Sequence, residues 1–228
     1  MKVILGDGLL GSEIYAIGGY SMLSRKKDGI DICDIGTFYK LSKYDTVVNC
    51  IAFTDTYSKN SKLHWDTNYV AVYELAKFCN NFGKKLVHIS TDFVYTNSLG
   101  VPEETDVPVH NADWYSYTKL LGDAAVQMVC DDYLICRGTH KPTPFKYDTA
   151  WTDRIGNFDY VDKIAHLIHG LIQDGASGVY NVGTGVKSMY DLANETNPMV
   201  KEGLAPGYVP KDTRMNVGKM KRFLKIND

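Results

Sequence analysis

The sequence predicts an α/β fold built on a doubly wound parallel sheet. Three observations carry this. Short apolar runs recur along the 228 residues, they are nearly continuous rather than alternating, and long helical patterns separate them. An unbroken apolar run fits a strand covered on both faces, as in a parallel sheet. Parallel neighbours need long crossover connections, which the intervening segments supply.

The runs fall at residues 2–5, 20–23, 46–49, 86–90, 133–136 and 179–182. The clearest helix lies near 63–82, where Trp65, Tyr69, Val72, Leu75, Ala76 and Cys79 share one stripe at helical spacing. Asn68 falls on that stripe. Either it is buried against a hydrogen-bond partner or it sits at the helix edge facing water; the pattern leaves both open. Further helices are expected at about 113–130 and 160–172. Residues 138–156, with Gly138, Pro142, Pro144 and Trp151, read as an irregular excursion, and 195–214, with Pro198, Pro206 and Pro210, as loop.

A formal net charge of −2 and ordinary apolar content argue against a polyanion-binding protein, so no nucleic-acid partner is expected. The five cysteines, Cys33, Cys50, Cys79, Cys130 and Cys136, are scattered and lack metal-ligand spacing. They read as reduced thiols, with no metal site. Neither a signal-peptide pattern nor an apolar run of about 18 residues appears, so the expectation is a cytoplasmic protein without membrane attachment.

Gly6-Asp7-Gly8-Leu9-Leu10-Gly11 is a GxGxxG between the first strand and a helical pattern. Glycines let the backbone approach a pyrophosphate, and helix N-terminal amides hold its charge. A plain tight turn is the bland alternative, but the strand–turn–helix context favours a Rossmann-type dinucleotide site. An NAD-preferring site usually places an acid at the end of the second strand. Here Ser24, Arg25, Lys26 and Lys27 stand there. Cations favour a 2′-phosphate, so NADP(H) is preferred, with NAD(H) as the alternative and a solvated basic turn as the bland reading. Asp34 and Ile35 are weaker candidates for the adenine end.

Tyr115-Ser116-Tyr117-Thr118-Lys119 contains a Tyr-x-x-x-Lys. On a helix, positions i and i+4 share a face. A lysine ammonium beside a phenol favours the phenolate and makes it an acid or base near neutrality. The spacing recurs at Tyr39/Lys43 and Tyr73/Lys77. Only Tyr115/Lys119 follows a strand ending in Ser90-Thr91-Asp92, and ligands of open α/β sheets gather at strand carboxyl ends.

Three segments then resemble the extended short-chain dehydrogenases. They are Val87-His88-Ile89-Ser90-Thr91-Asp92-Phe93-Val94-Tyr95, Pro102-Glu103-Glu104 and Trp114-Tyr115-Ser116-Tyr117-Thr118-Lys119-Leu120-Leu121-Gly122-Asp123. The likeness is greatest to the dTDP-4-dehydrorhamnose reductase branch. It extends through Asn49-Cys50-Ile51-Ala52-Phe53-Thr54, Asn68, Leu134-Ile135-Cys136-Arg137 and Gly178-Val179-Tyr180-Asn181-Val182-Gly183. The resemblance implies one NAD(P)-binding domain over 1–228, with a small, shortened substrate-binding part from about 138–156 and 184–228. It implies Tyr115 as acid/base, Lys119 as its partner on the nicotinamide ribose, and Thr91 on the reacting carbonyl. Cys50, Ala52 and Thr54 would line the cofactor path, and Asn68 would be a structural hydrogen-bonder. Asp92, Phe93, His140 and Arg214 are the substrate candidates.

The implied activity is NADPH-dependent reduction of a 4-keto nucleotide sugar. A related dehydratase would carry Asp-Glu after the threonine, whereas Phe93 follows Asp92 here. A nucleotide-sugar epimerase and a non-catalytic cofactor-binding regulatory subunit remain alternatives. A homodimer is compatible with the resemblance.

Overall fold

The six apolar runs form one six-stranded parallel sheet. The strands are β1 (Lys2–Leu5), β2 (Ser21–Leu23), β3 (Thr46–Asn49), β4 (Lys85–Ile89), β5 (Tyr133–Arg137) and β6 (Gly178–Asn181). Their order is β6-β5-β4-β3-β1-β2, every pairing parallel. This computed structural model describes residues 1–226. The unbroken apolar character of the runs follows from the two cores they separate. One face packs Val3, Leu5, Val47, Leu86 and Ile135 against Val72, Leu75, Ala76 and Cys79. The other packs Ile4, Val48, Val87 and Leu134 against Ile14, Ile164, Ile168 and Leu171. Alternate residues of each strand thus point into opposite cores.

Helix α1 (Leu9–Ile17) follows β1, α2 (Ala71–Asn81) precedes β4, α3 (Trp114–Val129) precedes β5, and α4 (Val161–Gln173) precedes β6. The stretch read as one helix near 63–82 has a break in its hydrogen-bond ladder. A short α-helical turn, Ser61–His64, leads into a π-helical turn, Trp65–Val70, and then into α2. Asn68 lies in the π-helical turn and is fully buried. Its Oδ1 accepts from the Phe53 N–H at 2.8 Å and its Nδ2 donates to the Phe53 carbonyl at 3.1 Å. The water-facing alternative is therefore excluded, because an irregular backbone at residue 53 needs both of its polar groups satisfied. Gly122 of α3 is the complement: a Cβ there would lie 2.5 Å from the Asn68 carbonyl oxygen. Only a glycine lets α3 approach the π-helical turn so closely.

A smaller cluster packs apart from these two cores. Phe145, Ala150, Phe158, Tyr160, Met189, Leu192, Ala193 and Val200 form its core. Two further helices, α5 (Met189–Thr196) and α6 (Gly218–Leu224), belong to the C-terminal third. Ser188 and Asp191 start α5 with a reciprocal capping box. The stretches read as irregular contain short strands instead. Thr149–Trp151 pairs with Lys201–Gly203, Ile155–Gly156 pairs with Asp212–Thr213, and His140–Lys141 pairs with Asp159–Tyr160. Pairs this short carry no apolar period of their own and are held by partners tens of residues away. Among the described residues no helix is long and apolar enough to cross a membrane.

Candidate active site

The chain reverses its winding between β1 and β3, and a crevice opens at that point of an open α/β sheet. Gly6 and Cys50 leave the two strands there. Gly6 has φ +98°, and a Cβ on Gly11 would lie 2.2 Å from the Gly6 carbonyl oxygen, so turn and helix pack backbone to backbone. Gly8 is the opposite case, since a Cβ there meets no protein atom within 4 Å. That open cradle lies over the first turn of α1, whose N-terminus has no side-chain cap. Uncapped amides facing open space suit an anion, and these residues fit a dinucleotide pyrophosphate.

A cleft of about 450 Å³ runs from this cradle to the end of β4. Gly8, Leu9, Leu10 and Gly11 line one end, and Cys50, Ala52 and Thr54 line a wall. Thr91, Phe93, Tyr115 and Lys119 line the other end, with Gly138–Lys141 and Arg154. Local chemistry fixes the catalytic candidates. Asp113 caps α3 by accepting from the Ser116 N–H at 2.7 Å, which places Tyr115 in the first turn. The Thr91 hydroxyl accepts from the Phe93 N–H at 3.2 Å and donates to Asp92 Oδ1 at 3.1 Å.

Lys119 is almost fully buried and donates to the Ile89 carbonyl at 2.6 Å. Its Nζ also lies 3.5 Å from His88 Nε2. The tautomer of His88 follows from its other neighbour. Asn49 Oδ1 accepts from the Ile51 N–H, so Asn49 Nδ2 faces His88 Nδ1 at 3.5 Å. Nδ1 is thus the acceptor, and Nε2 carries the ring proton toward Asp123 Oδ1 at 3.7 Å, while the Lys119 ammonium, a donor only, touches Nε2 without a hydrogen bond. Arg137 Nε donates to the other oxygen of Asp123 at 2.9 Å and stacks over the Tyr95 ring. Apart from Lys119, this buried network was not expected from the sequence, because its members lie on β3, β4, α3 and β5 and in the turn after β4.

The electrostatics correct one expectation. Burial pushes the Tyr115 phenol up to about 12, although a hydrogen bond with Thr91 opposes the rise; Asp92, Asp113 and Asp123 add to it. Burial pushes Lys119 down to about 8, with Asp123 opposing. The lysine therefore does not make the phenol acidic. Its own charge is expensive in this setting, and it contributes nothing that outweighs the loss of water around the phenol. Burial also takes His88 well below its ordinary value, and His140 down to about 4.

Other predicted residues fall outside the cleft. Ser24 is buried, and its hydroxyl accepts from the Lys27 N–H as the cap of the short helix Arg25–Asp28. Arg25 is exposed, with Asp31 3.5 Å from its guanidinium. Asp34 caps the 3₁₀ helix Ile35–Leu41, and Ile35 is exposed. Asp92 lies beneath the floor, where the Thr91 and Thr139 hydroxyls donate to it. Arg214 is paired with Asp212 on the surface and does not line the cleft. Phe93 and His140 do line it.

Sequence reasoning missed Lys141 and Arg154. Arg154 is buried, donates to the Pro210 carbonyl at 2.7 Å and lies over the Phe93 and Phe158 rings at 5.3 and 5.6 Å. Burial, and then the charge of Arg154, lower Lys141 to about 8. Both belong to the stretch 138–156, but no spacing links them to the catalytic pair.

A family model described as the RmlD substrate binding domain matches residues 1–140, more than half of the chain. The chain belongs to the RmlD family. The chain is 29% identical over 231 residues to a dTDP-4-dehydrorhamnose reductase of Mycolicibacterium smegmatis, an alignment covering 97% of the chain but 65% of that relative. It thus spans just under two thirds of that protein's length. Solved structures share the RmlD fold at lower identity. A dTDP-4-dehydrorhamnose reductase from Clostridium acetobutylicum superposes with TM-score 0.84 at 23% identity, covering 97% of this chain and 92% of that one. One from Bacillus anthracis, in complex with NADP, gives TM-score 0.81 at 20% identity, covering 98% and 96%. A UDP-glucuronic acid 4-epimerase from Bacillus cereus, in complex with NAD, gives 0.78 at 17% identity, covering 100% and 91%.

Proposed function

We propose that this chain is a reductase of a 4-keto nucleotide sugar that uses a nicotinamide dinucleotide, NADPH in preference to NADH. One observation carries the reading. Thr91, Tyr115 and Lys119 meet in the same cleft as the open cradle over Gly8. The Gly8–Gly11 turn would hold the pyrophosphate, and Cys50, Ala52 and Thr54 would flank the path to Lys119. The bound cofactor supplies the hydride. Tyr115 donates its proton to the alkoxide that develops at the ketone oxygen, and a phenol that holds its proton at neutral pH is charged for that role. Thr91 turns its hydroxyl hydrogen to the same oxygen and stabilises the charge as it forms. Lys119 carries the ribose hydroxyls and replaces the proton that Tyr115 gives up.

The preference for NADPH rests on Arg25, which is exposed just after β2 and would turn from Asp31, 3.5 Å away, to a 2′-phosphate. The solved relative with NADP supports it, and the NAD complex of the epimerase marks the alternative. The test is steady-state oxidation of NADPH with a dTDP-linked 4-keto-6-deoxy sugar. Turnover that disappears in Tyr115→Phe supports the reading. A wild type that oxidises no NADPH with any 4-keto nucleotide sugar overturns it and favours a non-catalytic cofactor-binding subunit.

A further inference from the structure

Beyond the cleft lies a second cavity of about 350 Å³ that the reaction does not use. Its walls include Tyr57, Trp114 and Tyr208, which are 43%, 42% and 66% exposed. Three large aromatics left in water around one hollow forgo burial that each would gain. Tyr57 and Tyr208 meet edge to face, with ring centroids 5.0 Å apart. They come from segments about 150 residues apart in sequence, the loop after β3 and the loop before Asp212–Thr213. Thr56 lines both this cavity and the cleft that holds Tyr115, so the two adjoin at that residue. Trp114 immediately precedes Tyr115.

The junction is cationic. Arg154 lines the cleft, holds the Pro210 carbonyl two residues from Tyr208, and its charge acts on the Tyr57 phenol. Lys141 lines the same part of the cleft. Among the described residues neither makes an ion pair within 4.0 Å. A buried arginine beside a second cation, with only Asp92 acting on both, is set for an anion.

We propose that the aromatic cavity is the seat of the heterocyclic base of the nucleotide-linked substrate, stacked by Tyr57, Tyr208 and Trp114, with the diphosphate on Arg154 and Lys141. This rests on the nucleotide-sugar reading above and deepens it. The order of groups agrees with the order in such a substrate: ketone at Tyr115, diphosphate at the cations, base at the aromatics. Every base has a π-face, so the seat recognises a nucleotide before it distinguishes which one.

The experiment is calorimetric titration of the full chain with dTDP, UDP, inorganic pyrophosphate and NADPH, separately. Tyr57→Ala and Tyr208→Ala lie on exposed side chains, and circular dichroism checks their fold. Each is expected to raise the Kd for dTDP and UDP about tenfold or more, the loss of a base–aromatic stack. Pyrophosphate and NADPH should bind as before, and Tyr208→Phe should bind dTDP like wild type. Arg154→Met should weaken pyrophosphate and dTDP together. Unchanged dTDP and UDP affinity in both alanine variants overturns the proposal, as does a wild type that binds neither nucleotide. A protein that binds dTDP through these aromatics yet reduces no 4-keto sugar keeps the inference and loses the reductase reading.

Discussion

At the scale of single residues, the site sets a protonated phenol beside a reluctant lysine. Tyr115→Phe keeps the ring contacts with His64 and Phe93 but removes the acid. Turnover should fall by roughly two to four orders of magnitude, the usual worth of a positioned acid or base, while cofactor affinity measured by fluorescence titration barely changes. Tyr73→Phe is the matched control. Lys77 lies over the Tyr73 ring at 5.1 Å and pairs with Glu74 at 3.1 Å, an arrangement of the helix surface. Its rate should equal wild type. Lys119 adds a signature in stability. Its value in the folded protein, about 8, is below its ordinary 10.5, so the unfolded chain binds more protons between those limits. Folding stability from this group is therefore lowest below about pH 8 and recovers as pH rises toward 10.5. Urea titrations at pH 7.5 and pH 10 should show wild type gaining on Lys119→Met at the higher pH. A constant difference between the two proteins would mean that the lysine is not perturbed by burial.

At the scale of elements, the contact between α3 and the π-helical turn positions the candidates Tyr115 and Lys119 and the Thr54–Thr56 wall. Asn68 ties the turn to Phe53, and Gly122 allows α3 to close on it. Asn68→Ala leaves the Phe53 N–H and carbonyl without partners. It should destabilise the fold by about 1–3 kcal/mol in denaturant titration, the cost of unsatisfied buried polar groups. Gly122→Ala drives a methyl into the Asn68 carbonyl and should cost about 1–3 kcal/mol as an overpacked contact. Restoring full stability in either variant would show that the two elements are not closely coupled. The same elements explain why Tyr115 and not Tyr73 faces the cleft. Asp113 fixes where α3 begins, and the first turn of α3 lies beside the end of β4.

At the scale of the whole molecule, the crevice between β1 and β3 opens into a cleft that joins the Gly8–Gly11 turn to residues 138–141 and Arg154. Gly8→Val fills the open cradle without meeting any protein atom within 4 Å of its Cβ. The fold should persist by circular dichroism while dinucleotide binding is lost; retained affinity would remove the glycine turn from the cofactor site. Arg25→Asp tests the far end. It should raise the NADPH dissociation constant more than tenfold, a loss on the order of 1.4 kcal/mol, and leave NADH unaffected. Equal changes for both cofactors would make the basic turn a solvated surface.

The sequence alone determined the parallel sheet, because strands buried on two faces are written as continuous apolar runs; all six lie within a residue or so of the expected positions. It also singled out the glycine turn, a local pattern, and the Tyr115/Lys119 pair, by its place after the strand that ends in Ser90-Thr91-Asp92, and the two line one cleft. Asn68 was half legible: its place on an apolar stripe is local, but its partner Phe53 lies 15 residues away across a loop. Only the tertiary structure decided which charges meet. His88, Asp123 and Arg137 form one buried network, and Lys141 and Arg154 enter the cleft, through packing between elements with no common period. Tertiary structure likewise commits Ser24, Asp34 and Arg214 to a cap, a turn and a surface pair. Proton affinities belong to the same level. Desolvation depends on everything that surrounds a group, and here it outweighs the neighbouring charge that the spacing of Tyr115 and Lys119 suggested.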